Sequence, residues 1–206
     1  MTLDIRTVEG GPLQVNTYVV GIEGGDSCVV IDPGVPDIQV NEAVAGRTVS
    51  AVLLTHGHFD HIQFAGHWLD KGAKLYVHEN DAEMIRQPHL NLAVFVLRQG
   101  LRLPEPDVKL REGDTVCEAG MTFTVLHTPG HTEGSVCYLA DGILFSGDTM
   151  FQHSYGRTDF PGGSDEKMFA SLERLLDLHE DTVVYPGHGM KTKIAWERRY
   201  YGENCD

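Results

Sequence analysis

The stretch THGHFDH, residues 55–61, constrains this chain more than any other feature. It holds three histidines and one aspartate, and it follows the apolar run AVLL. Side chains alternate along an extended segment, so His56 and His58 are expected to point the same way, with a glycine leaving room between them. Asp60 and His61 begin a helix that can direct them toward a second position. Imidazole nitrogens and carboxylate oxygens suit zinc, iron and manganese, so the pattern predicts a metal site at the end of a buried strand.

Three further candidate ligands lie in glycine-punctuated loops that also follow apolar runs. They are His131 in TPGHTEGS, Asp148 in LFSGDTMF and His188 in YPGHG. Each alone is as easily a structural loop residue, but together with the histidine cluster they bring the number of candidate ligands to seven. That number suits two metal ions that share one carboxylate and keep open positions for water.

The order of predicted elements contains a faint internal repeat. In the first half, strands lead to VVIDPG, then to a helix, then to AVLLTHGH; in the second half, strands lead to ILFSGDT, a helix and TVVYPGHG. Two strand-rich halves with helices predict an α/β fold in which two sheets pack face to face beneath helical layers. We expect residues 1–206 to form one domain, with the strand-end loops of both halves meeting along one edge.

Composition excludes several classes of function. The formal net charge of −14 disfavours binding to nucleic acid or to anionic membrane surfaces. No apolar run approaches the roughly 20 residues of a membrane helix, and no signal peptide precedes the first strand. The four cysteines are scattered without a C-x-x-C pair, which is typical of a reducing compartment. We therefore expect a cytoplasmic protein that acts on a small molecule; its oligomeric state stays open.

The motifs THGHFDH, TPGHTEGSVCYL, LFSGDTMF and VVYPGHG, in this order and at this spacing, resemble the metallo-β-lactamase fold. The likeness is greater to its glyoxalase II-like (hydroxyacylglutathione hydrolase-like) thioester hydrolases. The resemblance implies a four-layer αββα sandwich and roles for individual residues. His56, His58 and His131 would hold one metal; Asp60, His61 and His188 would hold the other; Asp148 would bridge both; and Asp32, in IDPG, would lie in the second shell.

The same resemblance implies a mechanism. Two divalent ions, zinc in the first place but also iron or manganese, would hold a hydroxide that attacks an acyl carbonyl and would stabilise the oxyanion. Asp60 is assigned the proton-handling role, since it is placed to orient the nucleophile. No G-x-S-x-G motif for a serine nucleophile occurs in the chain.

The substrate is expected to be a small thioester, with S-lactoylglutathione or a related S-acylglutathione favoured. Only a short tail follows His188, so we expect a short form without the C-terminal helical domain of glyoxalase II. Arg157 stands where that family has a lysine that contacts glutathione, and we predict that Arg157, Tyr155 and His153 bind substrate. Asp159 replaces an expected tyrosine, and an Arg157–Asp159 ion pair that fixes the loop is an equal alternative.

Other activities of the same fold stay open. The stretch GRTDF also resembles persulfide dioxygenases, which bind one iron at positions matching His56, His131 and Asp148. Lactone hydrolases share the seven ligands, and a non-catalytic binding module is a further hypothesis that the complete ligand set disfavours. Antibiotic-hydrolysing members typically carry a cysteine at the position of Asp148, so we expect no lactam hydrolysis. Residues 80–106 are left without an assigned role.

Overall fold

Two six-stranded sheets form the centre of the molecule. The structure, a computed structural model, describes residues 2–97 and 100–204. The first sheet contains, in spatial order, β1 (Leu3–Gly10), β2 (Val15–Ile22), β3 (Ser27–Ile31), β4 (Thr48–Leu53), β5 (Lys74–His78) and β6 (Val108–Leu110). The second contains β12 (Thr192–Lys193), β11 (Val183–Pro186), β10 (Ile143–Gly147), β9 (Val136–Ala140), β8 (Met121–His127) and β7 (Thr115–Glu118).

Strict alternation along the buried strands explains why the two sheets pack face to face. In β3, Val29 and Ile31 join the core between the sheets, while Cys28 and Val30 face the opposite side. Neighbouring strands alternate in the same way, and Phe123, Val125, Tyr138 and Phe145 complete the inner core from the second sheet. A sheet buried on both faces needs apolar residues at successive positions, which is why these strands are continuous β-branched runs.

Helices cover both outer faces. On the first sheet lie α1 (Asp37–Val44), α2 (Phe59–Ile62) and α3 (Ala65–Leu69), and on the second lie α5 (Asp165–Leu176) and α6 (Ile194–Asn204). Ser164 caps α5, because its side chain accepts a hydrogen bond from the backbone N–H of Lys167. The predicted four-layer αββα sandwich is confirmed.

The internal repeat corresponds to two equivalent pairs of parallel strands. In the first sheet β3 runs parallel to β4, and in the second β10 runs parallel to β11. Because neighbouring parallel strands end at the same edge, the loops that follow them meet there. The edge carries Asp32 and the THGHFDH loop from one sheet, and Asp148 and His188 from the other.

Some local predictions were wrong. A single helix over residues 62–71 is expected from the pattern, but α2 and α3 are separate short helices. The helical spacing of apolar residues predicts that Phe169 lies on the buried face of α5, yet it is about half exposed and packs against Tyr155. The described part of residues 80–106 contains the 3-10 turn Met84–Arg86 and the short helix α4 (Ala93–Val96), and a further 3-10 turn, Glu79–Asp81, lies at its start. None of the described helices is long and apolar enough to span a bilayer.

Candidate metal centre

The seven predicted ligands lie together at the shared edge of the two sheets. Their side-chain atoms form three overlapping groups in which every ligand atom is within 4.8 Å of the others. Two groups coincide with the predicted trios, and the third joins members of both. These groups are His56, His58 and His131; Asp60, His61 and His188; and His56, His61 and Asp148.

Asp148 lies between the two trios. Its Oδ1 is 3.4 Å from His61 Nε2, and its Oδ2 is 3.5 Å from His131 Nε2 and 3.6 Å from His188 Nε2. Asp60 is a member of the second trio, and its Oδ2 lies 3.4 Å from His188 Nε2 and 3.7 Å from His61 Nε2. One carboxylate therefore reaches both groups, which is the arrangement that a bridging ligand requires.

Hydrogen bonds on the outer side of the rings select which nitrogen faces inward. The Thr55 hydroxyl donates its single proton to Asp32 Oδ2 at 2.6 Å, so it can only accept from Nδ1 of His56, 3.1 Å away. Nδ1 of His61 donates to Asp32 Oδ2 at 2.9 Å, and Nδ1 of His131 to the Arg157 carbonyl at 2.6 Å. Such outer bonds fix tautomers in metal sites.

A test of whether the residues fit a metal comes from buried polar atoms. Among the described residues, His56 Nε2 and Asp148 Oδ1 are buried without a hydrogen-bond partner. His58 Nδ1 lies 2.8 Å from His131 Nε2, and two imidazole nitrogens at this distance need a cation or a shared proton between them. Buried polar atoms are normally paired, so this donor set fits divalent ions. The identity of the ions stays a prediction.

The pKa values of His56 and His58 differ in direction from that of His61. Burial, followed by the neighbouring His131, lowers the pKa of His58 to about 3, and burial also lowers the pKa of His56 well below its ordinary value. Burial opposes protonation of His61 as well, but the carboxylates of Asp148 and Asp60 raise its pKa well above that value. His56 and His58 thus offer neutral nitrogens, whereas His61 competes for a proton.

The acidic ligands are ionised at neutral pH. Burial would raise the pKa of Asp148, but the charge on His61 holds that pKa well below its usual range. Burial likewise disfavours the Asp60 carboxylate, yet His61 and a hydrogen bond with His188 lower the pKa of Asp60. Both carboxylates are therefore available as metal ligands.

Glycine is required beside these ligands because the loops approach each other closely. A Cβ atom on Gly187 would stand 2.2 Å from Asp148 Oδ1 and 2.7 Å from His61 Cε1. Such contacts are far below van der Waals separation, so a larger residue would displace the carboxylate or the imidazole. The glycine that precedes His188 thus gives the second trio its space.

Asp81 is a positioning residue that the sequence did not reveal. It is fully buried, and its Oδ2 accepts hydrogen bonds from the Gly57 N–H at 2.9 Å and the Thr132 hydroxyl at 2.8 Å. Its Oδ1 accepts from the Gly134 N–H at 2.8 Å. Asp81 therefore joins the loop of His56 to the loop of His131. One feature of the sequence indicates such a role: Asp81 follows β5 closely, and β5 runs parallel to β4.

Of the three predicted substrate-binding residues, one lines the cavity and two do not. Arg157 lines the cavity over the ligands, but its guanidinium makes two 2.6 Å hydrogen bonds to Asp159, as the ion-pair alternative predicts. Tyr155 packs against Phe169, and His153 stacks on Tyr200 at 4.5 Å between ring centroids. Neither is among the residues that line the cavity, and their assignment to substrate binding stays a prediction.

The chain matches the family model described as Metallo-beta-lactamase superfamily over residues 10–188. An uncharacterized protein of Mycobacterium leprae is 40% identical over 92% of the chain and 93% of its own length. The probable metallo-hydrolase YqgX of Bacillus subtilis is 35% identical, with 94% and 93% covered. Hydroxyacylglutathione hydrolase GloC of Haemophilus influenzae is 30% identical, with 84% and 85% covered.

Solved structures agree on the fold. A structure described as BLEG-1 B3 metallo-beta-lactamase is 34% identical with a TM-score of 0.89, over 95% of this chain and 97% of the other. TTHA1623, in a di-iron-bound form, is 36% identical with a TM-score of 0.80, over 95% and 98%. ETHE1 from Myxococcus xanthus is 31% identical with a TM-score of 0.78, over 96% and 82%. With its αββα layers and its cluster of histidines and aspartates at the sheet edge, this chain belongs to the metallo-β-lactamase superfamily.

Proposed function

We propose that this protein is a dinuclear metal-dependent hydrolase of small thioesters. The observation that carries the proposal is the convergence of seven ligand side chains, two of which bury an unpartnered acceptor atom, beneath one cavity. Divalent ions held there would lower the pKa of a water molecule and polarise a carbonyl. The chain supplies the rest of the site by fixing the tautomers of the histidines and by keeping both carboxylates ionised.

Asp60 is the residue that we propose to handle the proton. It is nine-tenths buried, its pKa is lowered, and its Oδ2 faces His188 Nε2 at 3.4 Å. An ionised carboxylate at the cavity floor can accept a hydrogen bond from an attacking water and hold it toward a bound carbonyl. His188 is in turn oriented by the Leu13 carbonyl, which accepts from its Nδ1 at 3.0 Å.

An S-acylglutathione such as S-lactoylglutathione is our first proposed substrate, supported by the similarity to the hydroxyacylglutathione hydrolase of H. influenzae. The test combines metal analysis of purified protein with hydrolysis of S-lactoylglutathione. We expect close to two ions per chain and turnover that is lost in Asp60→Asn but kept in Asp177→Asn, an exposed aspartate distant in sequence from every ligand. Two ions without hydrolysis of any thioester would refute the proposal.

Two other activities have specific support. The GRTDF stretch, which resembles persulfide dioxygenases, favours that alternative, for which one iron per chain and oxygen uptake on glutathione persulfide are diagnostic. The similarity to BLEG-1, described as a B3 metallo-beta-lactamase, bears against our expectation of no lactam hydrolysis, so a chromogenic cephalosporin belongs in the substrate panel. A lactone completes that panel.

A further inference from the structure

The cavity over the candidate metal centre has an unusually apolar wall. It has a volume of about 840 Å³, within the range of small-molecule sites. Its apolar wall consists of Leu13, Phe95 and Val96, all large apolar side chains that are about half exposed or more. Leu13 comes from a distant part of the chain, so two segments converge to make this surface. Contiguous exposed apolar surface of this kind marks a ligand or partner site.

The segment that carries Phe95 and Val96 is anchored to the metal loop. Asn91 is fully buried: its Oδ1 accepts from the Ala93 N–H at 3.0 Å, and its Nδ2 donates to the Leu101 carbonyl at 3.0 Å. Its own carbonyl accepts from the N–H of Phe59 at 2.9 Å, directly before Asp60. The apolar wall therefore has a fixed position relative to the ligands.

Leu92 shows that this position is maintained against backbone strain. It is a leucine with φ of 68°, a left-handed conformation that residues with a Cβ atom rarely adopt. The strained turn starts α4, which presents Phe95 with 72% of its surface exposed.

Aromatic rings line the other side of the cavity. The Phe160 ring lies 5.9 Å from the ring of His58, and Phe151 lies 6.0 Å from His188. The Arg157 guanidinium covers Phe160 at 3.9 Å, and its charge is balanced by Asp159. Among the described residues that line the cavity, Arg157 is the one lysine or arginine. A charged acyl group would therefore find no unpaired guanidinium or ammonium group there.

Resting on the proposed hydrolase function, we propose that the acyl group of the substrate is an apolar chain of several carbons. With its carbonyl over the ligands, such a chain extends across Phe95, Val96 and Leu13 and removes their apolar surface from water. Each methylene buried in this way raises the binding affinity by up to about fourfold. The short polar lactoyl group has little apolar surface to place against this wall.

The kinetic test is a chain-length series with one leaving thiol. S-acetyl-, S-butyryl-, S-hexanoyl- and S-octanoylglutathione are compared with S-lactoylglutathione, and the same acyl groups are repeated on N-acetylcysteamine to separate the thiol from the chain. We expect kcat/KM to rise between about two- and fourfold per methylene on both thiols. A flat series, or a preference for lactoyl over hexanoyl, would overturn the inference while leaving the hydrolase proposal intact.

Variants locate the effect on the wall. Phe95→Asn is expected to lower the ratio of octanoyl to acetyl kcat/KM by about tenfold or more, because it replaces a large apolar side chain by a polar one. Ile38→Asn is the matched control: Ile38 is 75% exposed on α1, and it lies outside the cavity. Equal ratios in both variants would refute the assignment of the wall to the acyl chain.

A binding series keeps the inference testable if no thioester is hydrolysed. Methyl ketones from 2-pentanone to 2-nonanone keep the carbonyl and the chain but cannot be hydrolysed. Calorimetry on the metal-loaded protein should show dissociation constants that fall with chain length, with a smaller slope in Phe95→Asn than in Ile38→Asn. Equal affinities for all ketones would overturn the inference. The same result is expected if a second protein chain, and not an acyl chain, covers the wall.

Discussion

Asp32 and His61 are joined by a hydrogen bond of 2.9 Å between Oδ2 and Nδ1, although 29 positions separate them in the chain. The same carboxylate accepts from the backbone N–H and the hydroxyl of Thr55. Asp32 itself adopts a positive φ of 50°, so the backbone turns sharply to bring the carboxylate beneath the ring. One buried aspartate after β3 thus orients both ends of the ligand loop that follows β4.

Asp32→Asn should therefore weaken metal binding without removing a predicted ligand. An amide cannot accept from all three donors, so His61 loses its fixed tautomer, and we expect about a 10–100-fold loss of metal affinity. Competition with a chromogenic chelator measures this metal affinity. Asp37→Asn is the control, because Asp37 pairs with His67 on the surface, away from the ligands. Equal affinities in the two variants would show that Asp32 does not act through His61.

Asp148→Ala should lower metal content and activity together. Asp148 is the carboxylate that reaches both trios, so its loss removes a ligand from each predicted ion. We expect fewer than one ion per chain after desalting and hydrolysis reduced by at least about a hundredfold. Elemental analysis and the thioester assay check both values, with Asp177→Asn as control. Full activity in Asp148→Ala would contradict the bridging role.

Gly187→Ala should damage the centre through one methyl group. The new Cβ would stand 2.2 Å from Asp148 Oδ1, so the carboxylate must shift, and a ligand displaced by about 1 Å can cost a hundredfold in kcat/KM. Gly66→Ala is the control, since nothing lies within 4 Å of its Cβ. In helix α3 that change should raise the free energy of unfolding by about 0.5–1 kcal/mol. Wild-type kinetics in Gly187→Ala would exclude the predicted clash.

Asp81→Ala should destabilise the protein and loosen the first trio. It leaves the donors on Gly57, Thr132 and Gly134 without their acceptor, and a buried donor without a partner costs about 1–3 kcal/mol. Denaturant unfolding of the metal-free protein measures the loss of stability, and chelator competition measures the loss of metal affinity. Asp70→Ala, at an exposed position, should change neither. Unchanged metal affinity in Asp81→Ala would confine Asp81 to a role in stability.

Acidification should release the two ions in order. A ligand must lose its proton to bind metal, so a raised pKa makes protons stronger competitors and a lowered pKa makes them weaker ones. The pKa values of His61 and His188 are raised, while those of His56 and His58 are lowered. As the pH is lowered from neutral, metal content should fall from two ions toward one. His188→Ala should keep its remaining ion over the same decrease in pH, and loss of both ions in a single step would contradict the order.

Local sequence was sufficient to predict the four layers of the fold and the candidate metal ligands. Alternating β-branched runs such as SCVVI fit strands that are buried on both faces, and the glycine-flanked histidines and aspartates after them mark strand-end loops. Their convergence followed from the repeat, because parallel strands end at a common edge. These features depend on residue type and on short spacings along the chain, and both can be read directly from the sequence.

The tertiary structure decided what surrounds those ligands. Asp81 holds two loops by contacts across 24 and 53 positions, and Leu13 joins Phe95 in one wall although no local pattern links them. The sequence predicts that His153 and Tyr155 bind substrate, and only the structure shows that these rings contact Tyr200 and Phe169. Sequence thus determined the chemistry of the ligands, since residue type and spacing set it. Only folding determined the shape of the cavity, since that depends on contacts between distant segments.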